Sequence, residues 1–269
     1  MPLPEVPDFV GIIRRAAADE TTRRLATVFF DAAINAGNPL SADHGAHVLR
    51  PSSFGRCSLE FAADNLGLLD LDRADDARLI MDNGTLMGLW FACLLKAGAS
   101  SEAMPFSVTL EYRATYRGVP GNIDALIAWP VKGNGLADRE IVELKTSPSA
   151  GEIKDPGVKK PAQCLQAASY ALDPNIDAER FTIVTFGYNV GSSREGVPWP
   201  KLAQHTHKTA DWKPLVDAEI DRLTALAAMP KAEVLSNAAT LADAVDAFRC
   251  GSCRLSGCER NKNGARFAL

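Results

Sequence analysis

The chain has 269 residues, which is enough for one large domain or two small domains with a substantial buried core. Apolar residues make up 46% of the sequence and charged residues 23%, the proportions of an ordinary soluble globular protein. The net charge of −4 gives no support for electrostatic capture of nucleic acid or of an anionic membrane, although it is compatible with a locally basic groove.

Neither a secretory signal nor a membrane span is evident in the sequence. The first residues, MPLPEVPDFVGIIRRAAADETTRR, lack a long apolar stretch with a small-residue cleavage site, and no run of about 18 apolar residues occurs. We therefore expect a cytoplasmic protein with no membrane partner. In that compartment the six cysteines are expected to be free thiols or metal ligands rather than disulfides.

The first hundred residues are predicted to be mainly helical. Apolar residues recur at helical spacing over 8–36, and GNPLSADHGAH then breaks the pattern as a loop. A serine of PSSF is a candidate cap for a second helix that runs to about residue 66, with Gly67 at its exit. A third helix is predicted over about 83–97, with Gly98 as its stop.

Alternating segments follow and predict strands. FSVTLEYRATYRG places Val108, Leu110, Tyr112, Ala114 and Tyr116 on one half-buried face. NIDALIAW, REIVELKT and FTIVTFGYNV are predicted as the next three strands, and KLAQHTH as a possible fifth. Helices are predicted over about 161–172, 211–228 and 239–248.

This order predicts one α/β domain with a mixed sheet, rather than two domains. Its expected parts are an N-terminal helical part (1–100), a core (101–210), and C-terminal helices with a cysteine tail (211–269). The C-terminal part is expected to pack back on the N-terminal helices.

The third predicted strand carries an acid and a base on one face. In IVELKT side chains alternate across the sheet, so Glu143 and Lys145 face the same side. Such a pair is also common on solvated faces. However, the preceding strand GNIDALIAW adds Asp124 in an apolar run, where a buried carboxylate is costly unless it is paired or binds a cation. If the two strands are neighbours, these side chains form a plausible site for Mg²⁺ or Mn²⁺.

The combination of GNID, a short gap and IVELKTS resembles the PD-(D/E)XK nuclease superfamily. The next predicted helix contains QAASY, in which Gln166 and Tyr170 have the Q-x-x-x-Y spacing of the RecB-like branch and share one helix face. An ordinary surface glutamine with a core tyrosine is the alternative for that motif alone. The resemblance implies a restriction-endonuclease-like core with a mixed central sheet flanked by helices.

The resemblance also implies roles for these residues. Asp124 and Glu143 would hold Mg²⁺ or Mn²⁺, aided by the backbone carbonyl of Leu144. Lys145 would orient or help to deprotonate the attacking water and would offset charge as the phosphodiester opens. The Q-x-x-x-Y pair would position this lysine or the nucleic-acid backbone.

Three cysteines near the end of the chain form a possible metal-binding motif. Cys250, Cys253 and Cys258 follow the pattern C-x2-C-x4-C, and SSFGRCSLEF supplies Cys57 as a fourth thiol. The arrangement resembles the iron–sulfur branch of RecB-like nucleases, which includes CRISPR-associated exonucleases, AddB-type helicase–nucleases and phage exonucleases. It implies a 4Fe–4S cluster that staples a helical subdomain, with zinc or unliganded thiols as alternatives.

The remaining candidates are weaker. Arg56, beside the first of these cysteines, is a candidate phosphate contact, although a solvated arginine is the simpler interpretation. Cys93 and Cys164 are expected to be small core residues. The histidine pairs in HGAH and HTH are expected to be structural or at the surface.

One departure from the pattern affects the expected metal count. Relatives carry a histidine ligand in G-x-x-x-H on the helix before the strands, but here GTLMG places Gly88 at that position. The leading expectation is a metal-dependent DNA exonuclease in phage or bacterial recombination, repair or processing. The alternatives are a catalytically weakened iron–sulfur DNA-binding or adaptor protein in a recombination or CRISPR-adaptation complex, and a zinc-stabilised module without nuclease activity. The oligomeric state is left open.

Overall fold

The computed structural model describes residues 5–36, 49–67, 75–130, 138–147, 155–187 and 201–241. Within these ranges a five-stranded mixed sheet is flanked by helices, so the predicted mixed α/β architecture is confirmed. The strands are β1 (Ser107–Tyr116), β2 (Val119–Ala128), β3 (Arg139–Ser147), β4 (Arg180–Gly187) and β5 (Lys201–Lys208). The helices are α1 (Phe9–Ala18), α2 (Glu20–Ala36), α3 (Ser58–Asn65), α4 (Asp75–Ser101), α5 (Pro156–Lys159), α6 (Pro161–Ala171), α7 (Thr209–Ala227), α8 (Lys231–Ser236) and α9 (Ala238–Leu241), with a 3₁₀ turn at Pro51–Ser53.

The strands lie side by side in chain order, from β1 at one edge to β5 at the other. Neighbouring strands are antiparallel except for β3 and β4, which are parallel. A parallel pair needs a crossover connection, and the segment between these strands supplies helix α6 for it. The crossover places α6 against the sheet directly after the strand that carries Glu143 and Lys145.

Each face of the sheet has its own apolar core. The first core joins α1, α2 and α4 to the sheet through residues such as Ile13, Leu94, Ile127 and Val142. The second core joins α3, α6 and α7 to the opposite face through residues such as Phe54, Ala167, Ile183 and Leu223. Because both faces are covered, any polar side chain inside the sheet must find a partner within the protein.

The helix predicted over 8–36 is interrupted at Asp19, so it forms α1 and α2 instead. Asp19 is extended, with φ −83° and ψ 123°, and its carboxylate accepts hydrogen bonds from the backbone N–H and the hydroxyl of Thr22, both at 2.7 Å. An aspartate at this position caps the next helix, since its side chain satisfies an N–H group that has no partner in the first turn. Periodicity alone did not separate the two helices.

The second predicted helix begins later than the serines of PSSF. These serines lie in the 3₁₀ turn, and α3 starts at Ser58 with Cys57 in the capping position. Its predicted end is confirmed, because Gly67 has a φ of +67° and its N–H donates to the carbonyl oxygen of Asp64 at 2.9 Å.

Helix α4 extends over 27 residues and continues through Gly98, which was predicted to end it. A Cβ atom at Gly98 would lie 2.7 Å from Cγ2 of Ile12, so the glycine allows α1 and α4 to approach closely. In the described parts of the chain, no helix is both long and apolar enough to cross a lipid bilayer.

Candidate metal-binding active site

The site begins on β3, where Glu143 and Lys145 face helix α6. Their neighbours Val142 and Leu144 pack in the first core, so the acid and the base point to the second face. The ammonium group of Lys145 donates to Oε1 of Glu143 at 2.5 Å and to Oε1 of Gln166 at 3.0 Å. Glu143 is only 1% exposed, so this is a buried ion pair and not a solvated one.

Helix α6 contributes the Q-x-x-x-Y pair to the same site. Lysine can only donate, so the amide of Gln166 turns its oxygen towards Lys145 and its nitrogen towards Tyr170. That nitrogen donates to the hydroxyl of Tyr170 at 3.0 Å. Gly121 makes room for the tyrosine, because a Cβ atom at that position would lie 2.5 Å from the ring. A continuous chain of contacts therefore runs from Glu143 through Lys145 and Gln166 to Tyr170.

Asp124 lies next to this chain on β2. The pairing of β2 with β3 extends from Ala128 opposite Arg139 to Ala125 opposite Val142, and the next positions along the two strands are Asp124 and Glu143. The carboxylate of Asp124 accepts the backbone N–H of Leu144 at 2.7 Å. The aspartate side chain therefore takes the place of a strand partner for β3.

The carbonyl of Leu144 faces the same side as its N–H. In an extended strand the N–H and C=O of one residue point towards the same neighbouring strand. Since the N–H of Leu144 reaches the carboxylate of Asp124, the carbonyl is also directed towards β2. Oxygen atoms of Asp124 and Leu144 thus border the same opening between the two strands.

Strand β1 changes faces at Glu111, which the alternation did not predict. Val108 and Leu110 pack with the first core, whereas Tyr112 and Ala114 pack with the second. Glu111 has a φ of +51°, in the left-handed region that residues other than glycine rarely adopt. One residue in that conformation reverses the alternation, so the predicted continuous face of β1 is divided in two.

Strand β2 shows the same reversal at Asp124. Ile123 belongs to the second core, whereas Ala125 and Ile127 belong to the first. Glu111 and Asp124 are cross-strand neighbours, because they lie between the pairs Leu110 with Ala125 and Tyr112 with Ile123. Sequence reasoning did not identify Glu111 as a site residue. The signal that could have identified it is the register of the β1–β2 hairpin, which sets it opposite the predicted aspartate.

Burial and like charges dominate the electrostatics of the site. Burial raises the pKa of Glu143 to about 8, with the charge of Asp124 acting in the same direction and Lys145 opposing it. Burial also raises the pKa of Asp124, against the effects of Lys145 and the N–H of Leu144. For Lys145, burial acts to lower the pKa, but the charges of Glu143 and Asp124 outweigh it and the pKa is raised.

The second carboxylate oxygen of Glu143 provides a test of whether a cation fits. Oε2 is buried and has no hydrogen-bond partner, although Oε1 is paired with Lys145. A buried carboxylate oxygen without a donor is costly, and a divalent cation would satisfy it. The donors nearby are the oxygens of Asp124 and Leu144, and hard oxygen ligands suit Mg²⁺ or Mn²⁺.

Among the residues that the structure describes, no three His, Cys, Asp or Glu side chains are grouped closely enough to hold a metal ion by themselves. A cation here would depend on two carboxylates, a backbone carbonyl and water. Mg²⁺ is commonly bound by one or two carboxylates while it keeps several waters. The donor set of Asp124, Glu143 and Leu144 therefore fits a hydrated Mg²⁺ or Mn²⁺.

Gly88 is buried on α4, where the resemblance led us to expect a histidine. A Cβ atom added at Gly88 would meet no other atom within 4 Å. The position therefore has room for a side chain, but the chain supplies none. The site depends correspondingly more on the carboxylates of the strands.

Arg56, the predicted phosphate contact, is held by two carboxylates of α3, Glu60 and Asp64. Its Nη1 atom lies 2.7 Å from Oδ2 of Asp64, and its Nη2 atom lies 3.1 Å from Oε1 of Glu60. The guanidinium also lies over the ring of Phe61, 5.8 Å from its centroid. A phosphate contact by Arg56 would require these ion pairs to open.

Cys57 lies at the start of α3 and is buried. Its sulfur is 3.8 Å from the carbonyl oxygen of Leu241, the last residue of α9. The three other predicted cluster ligands, Cys250, Cys253 and Cys258, lie outside the described residues. The structure places Leu241 of α9 beside Cys57.

Cys164 and His207 are in contact but do not form a catalytic pair. The sulfur of Cys164 and Oδ1 of Asp155 lie 3.7 Å and 3.3 Å from the same ring nitrogen of His207, so the imidazole cannot relay a proton between them. Burial raises the pKa of Cys164 to about 12, which keeps the thiol protonated. Cys93 is fully buried too, and burial likewise raises its pKa to about 12.

Comparisons with known proteins identify no family for this chain. No protein-family model matches it, and no curated protein matches it. A solved structure described as "Crystal structure of SSO0001" is similar over 88% of this chain and 94% of that one, with 14% sequence identity and a TM-score of 0.38. A likeness of this degree does not assign an activity.

Proposed function

We propose that this protein is a metal-dependent deoxyribonuclease of the RecB-like PD-(D/E)XK type, acting as an exonuclease in the processing, repair or recombination of phage or bacterial DNA. The observation that carries the proposal is the partnerless buried Oε2 of Glu143 in an ion pair with Lys145, beside the carboxylate of Asp124. A buried cluster of two acids and a base is expensive to maintain for stability alone. Its cost is explained if the acids bind a cation in the working protein.

The proposed chemistry follows from what each group can do. Asp124, Glu143 and the carbonyl of Leu144 would hold Mg²⁺ or Mn²⁺. The bound cation would supply Lewis-acid polarisation of a phosphate and a water with a lowered pKa. The protein groups fix the position of the scissile phosphodiester relative to that water, which is the larger part of phosphoryl-transfer catalysis.

Lys145 is suited to charge stabilisation and orientation of the water. The neighbouring acids raise its pKa, so it is a cation at neutral pH and a poor proton acceptor. Its contact with Gln166, which is fixed in turn by Tyr170, restricts where the ammonium group can point. We infer that this restriction directs the ammonium towards the phosphate oxygen on which negative charge develops.

The cysteines are proposed to bind a 4Fe–4S cluster through Cys57, Cys250, Cys253 and Cys258. The position of Leu241 beside Cys57 supports this, because Cys250 follows Leu241 by only nine positions. The chain can cover at most about 30 Å in that distance, so the tail cysteines stay within reach of Cys57. A structural zinc bound by the same thiolates is the alternative.

An iron–sulfur DNA-binding or adaptor protein with a weakened active site is the second candidate. Gly88 favours it, because α4 offers no ligand where the resemblance implies one. Such a protein would bind DNA, alone or in a recombination or CRISPR-adaptation complex, without cleaving it. The assay below separates the two functions.

Purified protein supplied with Mg²⁺ or Mn²⁺ should degrade linear end-labelled DNA, and Asp124→Ala and Lys145→Ala should each reduce the rate by about 10³-fold or more. Asp124→Ala removes a ligand, and Lys145→Ala removes the cation that stabilises the developing charge. Glu233→Ala is the control, since Glu233 is an exposed acid on α8. Digestion at the wild-type rate by both active-site variants would show that the site is misassigned, whereas DNA binding without cleavage by the wild type would support the adaptor function.

Gln166→Leu should lower the cleavage rate by about 10- to 100-fold and leave metal binding unchanged, since the leucine keeps the helix but removes the acceptor for Lys145. The measurements are single-turnover cleavage and Mn²⁺ titration of the same preparation. Gln163→Leu, one turn earlier on α6, is the matched control. Equal losses in the two variants would assign the effect to helix packing instead of to the contact with Lys145.

A further inference from the structure

Glu111 completes a row of three acids across adjacent strands. It lies opposite Asp124 in the β1–β2 register, and Asp124 and Glu143 are the next positions after the last β2–β3 pair, Ala125 with Val142. Directly opposed residues on neighbouring strands have Cβ atoms about 5 Å apart. Acids in this arrangement repel one another, so in the absence of a cation the row destabilises the sheet.

The backbone of Glu111 adds a second cost. Its φ of +51° is unfavourable for a side-chain-bearing residue, a cost that glycine or asparagine would reduce. This conformation reverses which face of the sheet the side chains of β1 point to. Strand β2 shows the same reversal at Asp124. The sequence therefore retains an acid at a strained position, directly across from another acid.

The buried Oε2 of Glu143 has no hydrogen-bond partner in the described protein, and a divalent cation would satisfy it. Glu111 is exposed, and the described residues contain no group of three His, Cys, Asp or Glu side chains that could hold a metal, so we do not assign it as a direct ligand with the other two. An exposed carboxylate at the edge of a site can instead accept hydrogen bonds from the waters that Mg²⁺ or Mn²⁺ retains.

We infer that Glu111 is the third acid of this centre and holds the hydration shell of the cation in place from the β1 side. The inference rests on the proposed function, since it requires a cation between Asp124 and Glu143. Glu111 is then a positioning residue, which acts through water and not by direct ligation.

Titration of the full-length protein with Mn²⁺, followed by the loss of the free-ion electron paramagnetic resonance signal, tests this inference. Glu111→Gln should weaken Mn²⁺ binding by about 10- to 100-fold, as replacement of carboxylates that support a bound metal commonly does. Glu111→Asp should recover part of the affinity because it keeps the charge. Glu233→Gln removes an exposed acid on α8 and should bind Mn²⁺ as the wild type does.

Glu111→Gly distinguishes charge from backbone strain. It relieves the positive φ but removes the carboxylate, so it should bind Mn²⁺ as weakly as Glu111→Gln while its metal-free melting temperature stays at or above that of the wild type. Unchanged Mn²⁺ affinity in Glu111→Gln would overturn the role of Glu111 and leave the proposed function intact. Failure of the wild type itself to bind Mn²⁺ would overturn both.

Discussion

Glu143→Gln should make the metal-free protein more stable at pH 8 and abolish its stabilisation by Mg²⁺ or Mn²⁺. Burial and the charge of Asp124 raise the pKa of Glu143 from 4.5 to about 8, so ionising this group in the folded protein costs free energy that the unfolded chain does not pay. The cost at pH 8 is on the order of 4 kcal/mol, an upper bound for the gain because the variant also loses the ion pair with Lys145. We expect the melting temperature to rise by several degrees.

The pH dependence has a definite sign. The folded protein holds the proton of Glu143 more tightly than the unfolded chain does, so this group contributes stability that is fully present below about pH 4.5 and is lost as the pH rises to about 8. Metal-free wild-type protein should therefore lose stability between pH 5 and pH 8 more steeply than Glu143→Gln. Mg²⁺ should reverse the trend for the wild type, since binding requires the ionised carboxylates and favours the folded state.

Glu140→Gln is the matched control on the same strand. Glu140 is also fully buried, but its two carboxylate oxygens accept hydrogen bonds from Arg180 at 2.9 Å and Thr182 at 2.7 Å. Burial raises the pKa of Glu140 too, but the hydrogen bonds from Thr182 and Arg180 and the charge of Arg180 oppose it. Its replacement weakens a satisfied ion pair, so stability should fall while the response to Mg²⁺ persists. Differential scanning fluorimetry of both variants at pH 6 and pH 8, with and without Mg²⁺, makes the comparison. A loss of stability in both would mean that the acid at 143 is structural.

The sequence predicted the parts of the site that depend on local periodicity. Alternation along IVELKT correctly assigned Glu143 and Lys145 to one face, and the helical spacing of QAASY set Gln166 and Tyr170 on the side that meets them. These predictions hold because a side chain's face in a regular element follows from its position alone. The contact between the two elements then follows from the crossover that a parallel β3–β4 pair requires.

The part of the site on β1 and β2 could not be predicted in the same way. Alternation assigns Val108 and Tyr112 to one face, but the positive φ of Glu111 moves the second to the other core. Nothing in a period of two residues signals such a conformation, because glutamate rarely adopts a positive φ. The role of Asp124 depends on this irregularity, since its carboxylate bonds to Leu144 where regular pairing ends.

Arg56 illustrates a different limit of sequence reasoning. A basic residue beside a predicted cluster ligand suggests a phosphate contact. The charge of Arg56 is instead paired with Glu60 and Asp64, about one and two helical turns further along the chain. The spacing of four and eight residues is visible in the sequence, and it indicates an ion-pair network on one helix face. Charge pairs within one segment should therefore be considered before a basic residue is assigned to a ligand.

If the proposed cluster forms, the anaerobically purified protein should be brown, and Cys253→Ala should lose this colour and melt about 10–20 °C lower. A cluster that joins Cys57 to the tail closes a loop of nearly two hundred residues. In the chain-entropy treatment of cross-links, a loop of that length is worth about 5 kcal/mol, which is comparable with the net stability of a whole domain. The measurements are visible absorbance, iron content and thermal unfolding.

Cys93→Ala and Cys164→Ala are the controls for this prediction. Both residues are fully buried away from the solvent, and burial raises the pKa of each thiol to about 12, so neither is suited to ligate iron. These variants should keep the colour and the iron content and should lose only the stability that a small core cavity costs. A colourless wild-type protein containing zinc would replace the cluster by a zinc site with the same mechanical role.

The structure also predicts which elements would be affected first if the proposed cluster were lost. Cys57 caps α3, and α3 packs against α7, α8 and α9, whereas the acids of the site lie on β2 and β3. Cys253→Ala should therefore increase hydrogen exchange first in α3 and α9, with the strands around Asp124 and Glu143 protected until global unfolding. If the strands open together with α3, the cluster supports the active site directly. A Cys253→Ala protein that keeps wild-type stability and exchange without metal would show that the cysteines do not staple the fold.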